Sequence, residues 1–194
     1  MKKILVLLTL ALGFVVSATA QNHVEFKWYG FYGVGEYSFM TNINTTKYND
    51  TANLSGFTLV SGFQLRKEAG IGLGITFLSD PRGAFTQLPV FIELRSHYSR
   101  DRIAPFSALQ IGWTIPLGTT GPAPKSVTIE QGGLYFGLNG GVRYAISRNL
   151  GVNANLGYQL IFMNDVRWCD LTGMPALNDA ILFHMFRFGL GVNF

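Results

Sequence analysis

Five charged side chains, Glu36, Glu93, Arg95, Arg143 and Arg187, stand in stretches that otherwise alternate apolar residues with small or amide ones. Carboxylates and guanidiniums so placed can pair as ions, line a conduction path, or fill an enclosed space with mutually neutralised charge. His97-Tyr98-Ser99 is a second candidate, with an imidazole two residues from a hydroxyl. Serine-based acyl transfer needs such a base within hydrogen-bond reach, and a third group to orient it. His23, His184 and the single Cys169 are far from one another and from His97 in sequence. Neither a metal site, a cofactor site nor an internal disulfide is expected from them. Cys169 reads as a loop thiol.

The charges can act together only if the chain brings them to one place, so the elements that carry them come next. From Leu150 to Phe162, Leu150, Val152, Leu156, Tyr158, Leu160 and Phe162 share one parity, while Gly151, Asn153, Asn155, Gly157 and Gln159 share the other. Leu134 to Ile146 repeats the pattern, and Ser147, Arg148 and Asn149 make the turn between them. Period-two alternation on both sides of a short polar turn is a β-hairpin. Its polar face lacks the Lys and acidic residues that a sheet facing bulk water carries, offering Asn, Gln, Gly and one Arg instead. Its other face is broadly apolar, as contact with lipid hydrocarbon requires. The hairpin therefore reads as part of a transmembrane barrel, apolar side out and polar side toward a lumen.

Lys2 and Lys3, the apolar run 4–16 and Ala18-Thr19-Ala20 form a secretory signal peptide, so residues 1–20 are expected to be cleaved and 21–194 to form one barrel domain. No Cys follows the apolar run, which argues against a lipid anchor there. Charged residues make up only 13% of the chain and aromatics 14%. With no further apolar helix, a closed barrel is the remaining way to cross a bilayer. Without Lys2 and Lys3 the chain holds 13 basic and 11 acidic residues, a balance that calls for no nucleic-acid partner.

The same parity marks strands at about 29–40, 56–66, 70–79, 88–98, 106–115, 134–146, 150–162 and 181–194. The fold class is thus all-β, an eight-stranded antiparallel up-and-down transmembrane barrel. Short turns follow strands two, four and six; longer loops follow the others, the longest irregular stretch being Asn164 to Asp179 with Trp168 and Cys169. Outer-membrane barrels keep short turns on the periplasmic side, which puts both chain ends there. Trp28, Tyr29, Tyr98, Tyr144 and Phe194 fall at that rim, and Phe39, Phe77, Trp113, Phe136 and Phe162 at the other, as interfacial girdles.

The last strand alternates Phe186, Phe188, Leu190, Val192 and Phe194 with Arg187, Gly189, Gly191 and Asn193. Here the chain resembles the small eight-stranded outer-membrane β-barrel proteins of Gram-negative bacteria, of the OmpX and OmpA barrel-domain type. The resemblance spans Tyr29 to Phe194 and rests on pattern. It implies residence in the bacterial outer membrane, contact with its lipid and lipopolysaccharide, and reading of the aromatic C-terminal strand by the barrel-assembly machinery. The strand ending at Phe194 is expected to close the barrel without the peptidoglycan-binding domain of two-domain relatives, which leaves an anchoring role unexpected. His97-Tyr98-Ser99 also resembles the His-x-Ser element of outer-membrane lipid A deacylases, but parity turns His97 into the lumen at the periplasmic end, whereas that family works on the outer leaflet.

Inward parity combines glycines, such as Gly72, Gly74, Gly137 and Gly189, with Tyr135, Gln64, Gln110 and Gln159. Eight strands enclose a space that side chains can fill, so a plug and no open pore is expected. Glu36 lies seven residues from Tyr29, and Arg187 seven from Phe194. This predicts a Glu36–Arg187 pair across the closing seam, with Arg95 and Arg143 sharing Glu93. The expected function is non-enzymatic: a structural or surface-interaction role, with a partner most plausibly at the loops 42–53 and 164–179. A small porin-like channel and a lipid A-modifying enzyme are the alternatives.

Overall fold

In the computed structural model, residues 30–43, 53–66, 69–80, 86–99, 101–117, 126–169 and 175–194 are described. The signal peptide, Trp28, Tyr29 and His23 lie outside them, as do the side chains of Trp168 and Cys169. Nine strands follow in order: β1 (Gly30–Asn42), β2 (Asn53–Arg66), β3 (Ala69–Ser79), β4 (Thr86–His97), β5 (Ile103–Pro116), β6 (Ser126–Gln131), β7 (Leu134–Ala145), β8 (Gly151–Cys169) and β9 (Pro175–Asn193). Every neighbouring pair is antiparallel, and the order β8-β7-β5-β4-β3-β2-β1-β9 closes through the β8–β9 pairing. The wall is therefore an eight-stranded barrel.

The ninth element prolongs the wall. β6 pairs with the far end of β8, from Ser126↔Cys169 to Gln131↔Asn164, just beyond the β7–β8 pairing. Gly132 and Gly133 join β6 to β7. A Cβ on Gly132 would fall 1.7 Å from the Thr114 carbonyl oxygen, and one on Gly133 would fall 1.8 Å from that of Phe162. Only glycine fits where backbones approach so closely.

β8 and β9 are each 19 residues long. At about 3.3 Å per residue they outreach a hydrocarbon core of about 30 Å even when tilted. The expected irregular stretch 164–179 is accordingly corrected: backbone pairing continues to Cys169↔Pro175, through register shifts on either side of Val166. Ser126–Gln131 likewise is strand where a loop runs up to the hairpin in the sequence reading. β2 also starts three residues earlier than its alternation suggested.

Side-chain direction follows the expected parity. Phe57, Leu73, Ile92, Trp113, Leu138, Leu156 and Phe188 are exposed on seven successive wall strands, with Tyr37 and Phe39 on the eighth. Such a continuous apolar belt far exceeds the patches of a soluble monomer and matches a lipid-facing surface. The short turns are tied by hydrogen bonds: Ile146 N donates to Leu150 O at 2.9 Å and Leu150 N to Ser147 Oγ at 3.1 Å. At the seam, Gly33 N donates to Phe194 O at 2.7 Å and Phe194 N to Gly33 O at 3.0 Å.

Candidate functional site: a hydrogen-bonded lumen

Alternation delivers one side chain in two to the interior, and pairing register decides which of them meet. Glu36 on β1 is buried; its Oε1 accepts from Arg187 Nη2 on β9 and its Oε2 from Asn155 Nδ2 on β8 at 2.6 Å. Gly189 and Gly191 make this convergence possible, since Gly191 stands opposite both Glu36 and Asn153. A Cβ on Gly189 would come within 2.8 Å of Asn155 Oδ1 and of the Glu36 carboxyl carbon. Arg187 reaches onward, Nη2 donating to Thr58 Oγ1 on β2 at 3.1 Å and Nη1 to Gln110 Oε1 on β5 at 3.5 Å. Thr58 shares a 2.8 Å hydrogen bond with Thr76 on β3.

Gln110 is the hub between two charge groups. Its Oε1 also accepts from Tyr135 OH on β7 at 3.0 Å, and its Nε2 donates to Glu93 Oε2 on β4 at 2.7 Å. Glu93 Oε1 takes Arg95 Nε at 2.7 Å. The Arg95 guanidinium carbon stands 4.9 Å from the centroid of the Phe106 ring, a cation–π contact. A connected set of hydrogen bonds thus draws a side chain from each of the eight wall strands. Glu93 thus takes Arg95 on one carboxylate oxygen and Gln110 on the other, and Arg143, opposite Ala104 and Asn153, is buried nearer the short turns.

The lumen is not polar throughout. Toward the long-loop end Met40, Leu54, Leu78, Ile161, Met163 and Met185 are almost fully buried on inward parity, with Phe183 packed against them. Gln87 Nε2 donates to Met163 Sδ at 3.3 Å within this layer. Phe91 joins it to the network below by stacking on Tyr135, ring centroids 5.3 Å apart. Toward the short turns a cavity of about 310 Å³ opens, with Tyr32, Gln64, Arg95, His97, Arg143 and Arg148 in its lining.

The acyl-transfer candidate is not assembled as a pair. His97 is buried in the lumen with its ring 5.9 Å from that of Phe106. Ser99 Oγ donates to Asp101 Oδ2 at 2.5 Å and accepts from Asp101 N at 3.1 Å, which ties its hydroxyl into the β4–β5 turn. His184 faces outward and meets Tyr158 OH through Nδ1. Among the described residues no group of three His, Cys, Asp or Glu side chains converges as a metal site would require.

No protein-family model and no curated protein sequence matches the chain. Solved structures do. Neisserial surface protein A matches with a TM-score of 0.62 at 14% identity, over 84% of this chain and 96% of that one. The outer membrane protein OprG from Pseudomonas aeruginosa matches with a TM-score of 0.55 at 12% identity, over 88% and 99%. The chain has the fold of the small outer-membrane β-barrels.

Proposed function

We propose that this chain is an integral outer-membrane barrel whose lumen its own side chains seal, and that it acts as a scaffold and a surface for interaction, not as an enzyme or a pore. The observation that carries the reading is the hydrogen-bonded set from Glu36 to Arg95, drawn from every wall strand and overlaid by the Met40–Met185 apolar layer. Water or ions crossing the lumen would have to break charge-assisted hydrogen bonds in a low-dielectric interior, each worth about 1.5–3 kcal/mol, and then wet an apolar layer. The exposed belt and the fold shared with outer-membrane proteins support residence in that membrane, short turns toward the periplasm.

In this reading the signal peptide 1–20 leaves on export, the belt meets outer-membrane lipid and lipopolysaccharide, and the strand ending at Phe194 engages the barrel-assembly machinery. The prolonged β6, β8 and β9 rise past the outer interface and offer the surface on which a partner would act. Single-channel recording in a planar bilayer tests the seal. No unitary current is expected from correctly folded protein, and a reproducible, ion-selective step would refute it. Lipid A acyl chains should be unchanged in mass between cells with and without the gene.

A further inference from the structure

We infer that a groove low on the lipid-facing wall, floored by Gly33, Gly35 and Ser61, holds one acyl chain of a glycerophospholipid, with an ester carbonyl of that lipid on the Ser61 hydroxyl. The inference rests on the membrane reading above and turns one place on the apolar belt into a defined site. Register sets the floor residues side by side, Gly33 opposite Ser61 and Gly35 opposite Leu59. Their neighbours on the same face carry bulk: Leu73 stands opposite Ser61 and Ile75 opposite Leu59 on β3, and Val192 opposite Gly35 on β9. The Phe194 ring overhangs Gly33, where any Cβ would run into it. Phe31 and Phe63 close the lower end as an edge-to-face pair, ring centroids 5.4 Å apart. The space so bounded is a groove of about 710 Å³ walled by Phe31, Leu59, Leu73 and Phe194.

Three features select the occupant. The groove is continuous with the apolar belt, so hydrocarbon is the medium that reaches it. Its rims stand proud of its floor, Phe31 being 87% and Leu73 68% exposed. Such rims hold the curved wall of a second barrel away, while a single flexible chain can lie between them. Ser61, lastly, brings an exposed hydroxyl to a floor whose surroundings are hydrocarbon. A hydroxyl in hydrocarbon is unfavourable until it finds an acceptor. Ser61 stands two residues above Phe63 on β2, a rise of about 5 Å for a strand tilted about 40°. Acyl esters lie at that depth, where headgroup gives way to chain. With the short turns toward the periplasm, the lipid belongs to the periplasmic leaflet.

The test uses the full chain, extracted in an uncharged maltoside detergent and checked for folding by the heat-modifiable gel shift. Palmitoyl-oleoyl phosphatidylcholine is titrated in, and the lipids bound to each barrel are counted by native mass spectrometry. One lipid should bind saturably, ahead of a weaker statistical series. The diether analogue of the same lipid lacks the ester carbonyls and should bind about fivefold more weakly, the effect of one neutral hydrogen bond. Ser61→Ala should bind the ester and the ether alike, at the weaker level. A Cβ at Gly35 meets Phe57, Leu59 and Val192 side-chain atoms at 3.7–3.8 Å, ordinary contact distances, so Gly35→Leu can fold while its longer side chain fills the floor. It should weaken the saturable lipid about tenfold or more. A statistical series alone in the parent, a dimer in place of the lipid adduct, or unchanged binding in Gly35→Leu overturns the inference. So does Ser61→Ala if it still prefers the ester as the parent does, and this variant decides should Gly35→Leu fail to fold. A chain that stays folded and dispersed once detergent is removed contradicts the membrane reading itself; one that needs detergent yet holds no saturable lipid contradicts the groove alone.

Discussion

Replacing Glu36 by Gln is the most informative perturbation of the lumen, because it keeps the shape of the side chain and removes only its charge. Glu36 accepts from two donors, Arg187 Nη2 and Asn155 Nδ2. An amide at that position can accept from only one of them and turns its own N–H toward the other. Arg187, 1% exposed, then keeps its charge with neutral acceptors in place of the Glu36 carboxylate, Thr58 and Gln110 among them. Breaking one side of a buried ion pair costs about 3–5 kcal/mol, whereas replacing both sides by groups without charge is often close to neutral. Glu36→Gln should therefore lower the urea midpoint of the barrel in lipid vesicles by about 1 M or more, given a slope of about 1–3 kcal/mol per molar. The double variant E36Q/R187M should recover most of that loss, a coupling of about 2 kcal/mol or more. Circular dichroism and the heat-modifiable gel shift follow unfolding independently. If E36Q stays within about 0.5 kcal/mol of the parent, or if the double variant loses the sum of the two single losses, the pair does not hold the seam as described.

Three further expectations follow from named positions. Gly189→Val pushes a side chain into the space of Glu36 and Asn155, and should destabilise by about 1–3 kcal/mol through overpacking, read from the same urea titration. Tyr135→Phe removes one neutral hydrogen bond to Gln110 and should cost about 1 kcal/mol; a loss as large as that of E36Q would mean that Tyr135 has a role beyond this bond. Leu156→Arg puts a charge on the lipid face and should cost about 2–4 kcal/mol if it sits at the bilayer midplane, with a matching fall in the yield of folded protein; a neutral outcome would place Leu156 in water.

Parity was legible in the sequence wherever the two faces differ in chemistry. Leu156 against Asn155, or Phe188 against Arg187, can be sorted without coordinates because a strand turns successive side chains to opposite sides. The meeting of Glu36 and Arg187 could be anticipated because both face inward on the strands that close the barrel, but the equal depth expected for them is corrected: Glu36 stands opposite Gly191 and Arg187 opposite Met40, four residues further along, and the Arg187 side chain spans the difference. Gln110 could not be identified as the hub, since which of several inward amides stands beside Glu93 depends on register between strands. The apolar layer was missed for another reason. Met40, Leu78, Met163 and Met185 share the inward parity, yet their neighbours Phe39, Phe77 and Phe162 are apolar too, so alternation fades where both faces are hydrophobic. Beyond the apolar layer the contrast disappears in the opposite sense. Asn164-Asp165-Val166-Arg167 has no alternation to announce a strand, and its backbone pairs with β6 on one side and β9 on the other. Arg143 lies on the inward face that parity gave it, while its depth, beside Ala104 and Asn153, depends on register, because one parity holds several depths.

The direction of side chains along β8 decides which face of the barrel wall meets lipid and which meets the lumen. Replacing Cys169 and then introducing a single nitroxide at each position from Gly151 to Phe162 measures it, through collision with oxygen, which concentrates in lipid. Accessibility should peak at 152, 154, 156, 158, 160 and 162 and fall at the positions between. Maxima on the Asn153, Asn155 and Gln159 side, or no alternation at all, would contradict it.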